Sequence, residues 1–122
     1  MRAEDAVSFV GGMNIPGTFG RYRASIPLAL LTVGVSGLSL RGRGPRLFSL
    51  GQGLDARYED VVQAFQVLGS AALGAGVGFD LRDGDVAYFW TTSEEQHVLL
   101  ELQHRGVSLG EARYRAPLRW FR

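Results

Sequence analysis

An aromatic strand that runs directly into a helix, between Asp85 and Gly106, constrains the fold of this chain more than any other segment. Over residues 85–92 the side chains alternate, so that Val86, Tyr88 and Trp90 can share one face of a strand. The segments upstream are short and rich in strand-forming residues and glycine. This arrangement predicts a mainly β domain that is closed by a single late helix.

The helix has recognisable ends in the sequence. Ser93 is a favourable N-cap residue, and Gln96 three positions later completes a capping-box pattern. Gly106 can adopt the left-handed conformation that commonly ends a helix. We therefore predict a helix over residues 93–105. Its sheet-facing side chains would be Val98, Leu99 and Leu102, which leaves His97, Gln103 and His104 more exposed.

Length and charge bound the possible functions. The chain has 122 residues, of which 46% are hydrophobic, which suits one domain with a single core. Thirteen basic residues, all of them arginine, oppose twelve acidic residues, for a net charge of +1. No overall field therefore favours an anionic partner, and we expect no nucleic-acid binding.

The sequence favours a cytoplasmic location. Cysteine is absent, which removes disulfides, thiolate nucleophiles and cysteine-ligated metals and fits a reducing compartment. The first residues show no secretory signal pattern. The two long uncharged runs, 24–40 and 61–79, contain proline, glycine or glutamine and do not resemble membrane spans.

Several further segments have strand character. The first 24 residues are glycine-rich and are interpreted as a covering segment of irregular or short-strand structure. The predicted strands that follow are 25–33, 38–43, 46–50 and 76–82, with a turn over 34–37 and a hairpin turn at Asp83-Gly84.

The segment 58–68 allows two interpretations. Val61, Val62, Phe65 and Leu68 fit one face of a helix, whereas Val61, Phe65 and Val67 fit a strand. Because β-branched and aromatic residues dominate, a strand is favoured over a helix.

The order of these segments, ending in a strand and a capped helix, resembles the pleckstrin-homology-like (PH-like) superfold, in particular its GRAM-like and bacterial PH-like members. The segment YEDVV at 58–62 and the Phe89-Trp90 pair before the helix carry the resemblance, which covers about residues 25 to 106. It implies a strongly bent antiparallel sheet, or split barrel, of about seven strands with one C-terminal helix at an open end. The implied division is an N-terminal segment 1–24, a PH-like domain 25–107 and a C-terminal tail 108–122.

No arrangement of residues in the sequence points to catalysis. The glycine cluster 69–78 lacks the lysine and hydroxyl residue of a phosphate-binding loop. His97 and His104 stand two helical turns apart, too far to share one metal ion. The Gly34-Val35-Ser36-Gly37 segment lacks the last glycine of a nucleophile elbow. We therefore expect no enzyme activity, no cofactor and no metal.

One arginine cluster surrounds a glycine-proline turn and comprises Arg41, Arg43 and Arg46. Guanidinium groups suit bidentate binding of phosphate. In lipid-binding PH domains a basic pair of the same R-x-R spacing contacts the headgroup, and Arg41 and Arg43 resemble that pair. The alternative interpretation is a solvated basic turn.

The C-terminal tail interleaves arginine with aromatic residues, and its candidate contact residues are Arg115, Arg119, Trp120 and Phe121. This combination is typical of protein interfaces and of membrane surfaces. The tail could equally pack on its own sheet.

The sequence therefore predicts a non-catalytic PH-like module that binds a protein partner or self-associates. The alternative is a peripheral module that binds anionic lipid at the inner face of the membrane, through the arginine turn and the tail.

Overall fold

The computed structural model describes residues 6–17, 20–42, 53–68, 75–91 and 94–114. Tyr58–Asp60 forms a short 3-10 turn between two of the strands. The strands and the helix are β1 Val7–Gly17, β2 Gly20–Val33, β3 Gly37–Gly42, β4 Gly53–Arg57, β5 Val61–Leu68, β6 Ala75–Leu81, β7 Val86–Thr91, α1 Glu95–His104 and β8 Arg113–Tyr114.

The strands form one sheet in the order β4-β3-β2-β1-β7-β6-β5-β8. Seven neighbouring strands are antiparallel, and the two-residue β8 joins β5 in parallel. Among the described residues the sheet has two ends and does not close into a barrel. The predicted fold class, a mainly β antiparallel sheet with one C-terminal helix, is confirmed.

Strand β1 joins the two halves of the sheet. Its first part pairs with the end of β2, and Gly12 to Asn14 also pair with β7. Between these parts the register shifts, because Gly11 pairs with Ala29 whereas Met13 pairs with Ala24. A side chain at Gly11 would collide with the Trp90 carbonyl oxygen and the Phe89 ring. Two residue steps of β1 thus face five of β2, so the extra residues of this bulge belong to β2, and Gly11 leaves room for the close approach of β7.

The position of β1 differs from the expected role of residues 1–24 as a covering segment. From Val7 onward this segment lies within the sheet, between β2 and β7. The glycine-rich composition predicts irregular or short-strand structure here, whereas Gly11 and Gly12 lie inside a strand of 11 residues.

The main core lies on the concave side of the bent sheet, where the strands contribute alternate residues and β4 approaches β1 from across the core. The helix α1 covers this core against β5 and β6. The residues with no exposed surface include Ile15, Leu31, Leu40, Phe79, Phe89 and Leu102.

The helix buries the predicted face and ends at the predicted position. Val98, Leu99 and Leu102 are buried, and His97, Gln103 and His104 are exposed. Gly106 has a φ of +91° and its N–H donates to Gln103 O at 3.0 Å, while Val107 N–H donates to Leu102 O at 3.0 Å. These two bonds make a Schellman motif, with Val107 buried against the core.

The helix begins later than the sequence predicts. Glu94 occupies the N-cap position and makes no side-chain capping bond, while its N–H donates to Thr91 Oγ1 at 3.3 Å. Ser93, the predicted N-cap, lies outside the described residues.

The other strand predictions are largely confirmed. Val61–Leu68 is a strand, as favoured, and the Tyr58–Asp60 turn precedes it. Strands β2, β3, β6 and β7 overlap the predicted ones, and Gly84 adopts a φ of +95° in the turn between β6 and β7. Strand β4 was not predicted, and the predicted strand 46–50 falls outside the described residues.

The chain returns to the sheet after the helix. Ala64 N–H donates to Ser108 O at 2.8 Å, and Gly110 N–H donates to Ala64 O at 2.7 Å. Arg113 and Tyr114 then pair with Val67 and Leu68. A domain boundary at residue 107 would therefore divide the sheet, and the described part of the tail belongs to it.

Candidate functional site

A groove opens beside β4, the first strand in the sheet order. Within the described residues β4 pairs with β3 alone, so its outer edge has no strand partner there. A hollow of about 380 Å³ separates this edge from the β6–β7 turn. Its apolar lining is Leu54, Ala56 and Leu81, and its charged lining is Asp55, Asp60, Arg82 and Asp83. We name this hollow the edge groove.

Local hydrogen bonds hold the walls of the edge groove in place. Arg82 N–H donates to Asp60 O at 2.9 Å, and its guanidinium Nε donates to Glu59 O at 3.0 Å. Asp83 accepts a 2.9 Å bond from the Asp85 N–H within the turn. These bonds attach the β6–β7 turn to the 3-10 turn. The shape of the groove is therefore held by backbone as well as side-chain hydrogen bonds.

The 3-10 turn is anchored on its other side by Gly34. The Tyr58 hydroxyl donates to Gly34 O at 2.5 Å, and Arg105 Nη1 donates to the same oxygen at 2.9 Å. Arg105 also pairs with Glu101 at 2.9 Å. Burial raises the pKa of Tyr58; the Arg105 charge opposes that rise and Glu101 adds to it. The hydroxyl therefore remains a donor, and the helix end, the β2–β3 turn and the 3-10 turn meet at one carbonyl.

The charge of the edge groove is acidic. Three carboxylates line it, from Asp55, Asp60 and Asp83, against the single guanidinium of Arg82. Arg41 forms an ion pair with Asp55 from the neighbouring strand. Arg57 lies 2.7 Å from Glu59 and 4.0 Å from Asp60. Because these pairs are largely exposed, they screen the carboxylates without removing them from solvent.

A second hollow of about 520 Å³ lies next to the edge groove. The two share Asp55, Ala56 and Asp60. The second hollow is lined by the hydroxyl residues Thr32, Ser36 and Ser39 and by the backbone of the β2–β3 turn. It is the more polar of the two, so the edge groove is the better site for an apolar side chain.

The predicted arginine cluster is only partly described. Arg41 is exposed at the end of β3, but its guanidinium is paired with Asp55 and covers Gly53. Arg43 and Arg46 lie outside the described residues. The one described member is therefore engaged with a carboxylate of its own sheet.

The predicted tail residues Arg115, Arg119, Trp120 and Phe121 also lie outside the described residues. The described arginine closest to them in sequence, Arg113, binds Asp80 through both guanidinium Nη atoms, with Nη1 at 3.1 Å from Oδ1. Gln63 donates to the same carboxylate at 2.9 Å. Burial alone would raise the pKa of Asp80, but the bonds from Arg113 and Gln63 outweigh it and lower that pKa.

Sequence reasoning missed this anchor because its members come from three strands. The register brings Gln63 opposite Asp80 and Arg113 opposite Val67. Alternation along β5 would have placed Gln63 and Phe65 on one face, but the pairing of β8 with β5 has no signal in the sequence.

The face of the sheet opposite the helix carries a smaller aromatic cluster. Phe65, Val67 and Trp90 are buried there, with Tyr88 stacked on Trp90 at 5.7 Å between ring centroids. The Phe65 ring lies over Gly78 and the Trp90 ring over Gly76. These two glycines of the cluster 69–78 therefore accommodate aromatic rings.

The described residues contain neither a cluster of metal-ligating side chains nor a helix that could span a membrane. His97 and His104 are exposed on α1, and no group of three metal-ligating side chains occurs among the described residues. In the same part of the chain, no helix has both the length and the apolar character needed to cross a bilayer.

A comparison of the chain with protein-family models finds no match, and a comparison with curated proteins finds none either.

Proposed function

We propose that this chain is a non-catalytic PH-like module that binds or assembles through protein–protein contacts. The strand order and the single C-terminal helix are compatible with a PH-like fold. Fold alone does not determine activity, so the proposal rests on the edge groove.

The observation that carries the proposal is the combination of an edge strand and an adjoining groove. A strand edge offers backbone donors and acceptors to an extended segment, and a neighbouring pocket can take one of its side chains. The edge groove provides Leu54, Ala56 and Leu81 for an apolar side chain and carboxylates for a basic one. This chemistry suits a polypeptide that carries both aromatic and basic residues.

The charges of the described residues support binding of a protein rather than of an anionic lipid. Arg41 is paired with Asp55, and Arg113 is paired with Asp80. Releasing either guanidinium for an anionic headgroup would leave a carboxylate without its partner. The groove itself is acidic and would repel an anionic surface.

Sedimentation velocity over a wide concentration range tests the proposal, together with flotation on vesicles that contain an anionic phospholipid. We expect concentration-dependent association and no flotation. Flotation that falls steeply with added salt, from a chain that stays monomeric at every concentration, would instead establish the lipid-binding alternative.

A further inference from the structure

The C-terminal segment 115–122 is complementary in charge to the edge groove. It contains Arg115, Arg119 and Arg122 and no acidic side chain. The groove is lined by three carboxylates and one guanidinium. Arginine and carboxylate form bidentate bonds, and the apolar part of the lining can receive Trp120.

The direction of β8 separates this segment from the groove of its own chain. Because β8 runs parallel to β5 and pairs with Val67 and Leu68, it leads away from the beginning of β5. Leu81, which lines the groove, pairs with Val61 at that beginning. From Leu68 back to Val61 is about 23 Å along the strand at about 3.3 Å per residue.

The same chain would need almost the full length of its tail to bring Trp120 that far. Trp120 follows Tyr114 by six residues, which span at most about 20–22 Å when fully extended. A reversal of direction after β8 would use part of this length. Even with the indole added, Trp120 would reach the groove of its own chain only from an almost fully extended tail, so the groove of a second copy carries the smaller conformational cost.

We propose that residues 115–122 of a second copy of the chain bind in the edge groove, beside β4. The inference rests on the proposed assembly function and names its partner and its site. Arg115 and Arg119 of one copy pair with Asp55, Asp60 and Asp83 of the next, and Trp120 packs on Leu54 and Leu81. Each copy then offers one groove and one tail, a head-to-tail contact that produces rings or chains of copies.

A mixing experiment tests the head-to-tail arrangement directly. One variant carries Asp55→Asn, Asp60→Asn and Asp83→Asn, which removes the groove charges and retains hydrogen-bond acceptors, including the one at position 83. The second variant lacks residues 115–122 and keeps β8. We expect each variant alone to be monomeric by sedimentation velocity. An equimolar mixture should form dimers that grow no further, because it contains one intact groove and one intact tail per pair.

The matched control removes the same number of charges elsewhere. Glu59→Gln, Glu94→Gln and Glu111→Gln change the net charge equally, at exposed positions that do not line the groove. We expect this variant to associate like the original chain at concentrations at which the groove variant stays monomeric, which corresponds to an affinity of the groove variant at least about tenfold weaker. Far-UV circular dichroism and thermal unfolding of all variants verify that each is folded.

The outcomes distinguish a failure of the groove–tail contact from a failure of the proposed assembly function. If the original chain associates but the groove variant does so equally well, or the mixture stays monomeric, the groove–tail contact is wrong and assembly stands. An equal weakening by the control variant would also overturn it, because the effect would then follow net charge. If the original chain is monomeric at every concentration, both the assembly function and this contact fail.

Discussion

The guanidinium carbon of Arg113 lies 3.7 Å from the centroid of the Phe65 ring. The same guanidinium binds the Asp80 carboxylate, so one side chain joins the two-residue strand β8 to β5 and β6. A two-residue parallel pairing supplies few backbone hydrogen bonds. The attachment of β8 to the sheet therefore depends strongly on this side chain.

Arg113→Ala should lower the free energy of unfolding by about 1–2 kcal/mol, from loss of the cation–π contact and of the charged hydrogen bonds. Urea denaturation measures this change. Arg23→Ala, at an exposed position of β2, is the control and should change stability by less than about 0.5 kcal/mol. Equal effects of the two variants would contradict the anchoring role.

The Asp80 carboxylate should make stability depend on pH in the acid range. Its pKa in the folded chain is lowered, so its contribution is present above the ordinary aspartate value of about 3.9 and is lost as pH falls through the folded pKa. Asp80→Asn should therefore be less stable than the original chain at neutral pH. The difference should shrink as the pH is lowered below that ordinary value. A difference that stays constant between neutral and acid pH would show that the Asp80 charge is not stabilised by folding.

The glycines under the aromatic rings should not tolerate alanine. A methyl group at Gly78 would collide with the Phe65 ring, and one at Gly76 with the Trp90 ring. Since these rings are almost fully buried, each substitution should cost about 1–3 kcal/mol. Gly34→Ala is the control, because its nearest neighbour would be Gly37 O at 3.4 Å. Thermal unfolding compares the three variants, and tolerance of alanine at Gly76 would show that the Trp90 ring can move.

Leu102→Ala should cost about 2–5 kcal/mol, because this side chain is fully buried between α1 and the sheet. Leu100 on the same helix is 57% exposed, and Leu100→Ala should stay within about 0.5 kcal/mol. Chemical denaturation of both variants measures the contrast. A similar loss at the two positions would mean that the helix packs through a different face.

The parts of the fold that local patterns encode are predictable from the sequence. Alternation identifies β6 and β7, and Gly106 marks the end of α1, because each signal lies within one element. Strand β1 is obscured by Gly11 and Gly12, because composition does not distinguish adjacent glycines inside a strand from a loop. Strand β4, with the sequence GLDAR, is too short to show alternation.

The candidate site is less predictable than the fold. The edge groove joins Leu54 to Leu81 and Asp83, residues that are distant in sequence and adjacent only in the bent sheet. Likewise, the partner of Arg41 is Asp55, which depends on the β3–β4 register. Arginine clusters can be read from the sequence, but which carboxylates pair with them depends on strand order.

The position of β1 between β2 and β7 also has a kinetic consequence. Strands β1 to β4 pair with sequence neighbours, as do β5, β6 and β7, so the pairings within each group are local in sequence. Gly12 and Trp90, which pair where the groups meet, are separated by most of the chain. Closing so long a loop carries the larger entropic cost, and contacts of this range slow folding. We therefore expect the β1–β7 pairing to form last, so the amide hydrogens bonded between β1 and β7 should become protected after those within each group.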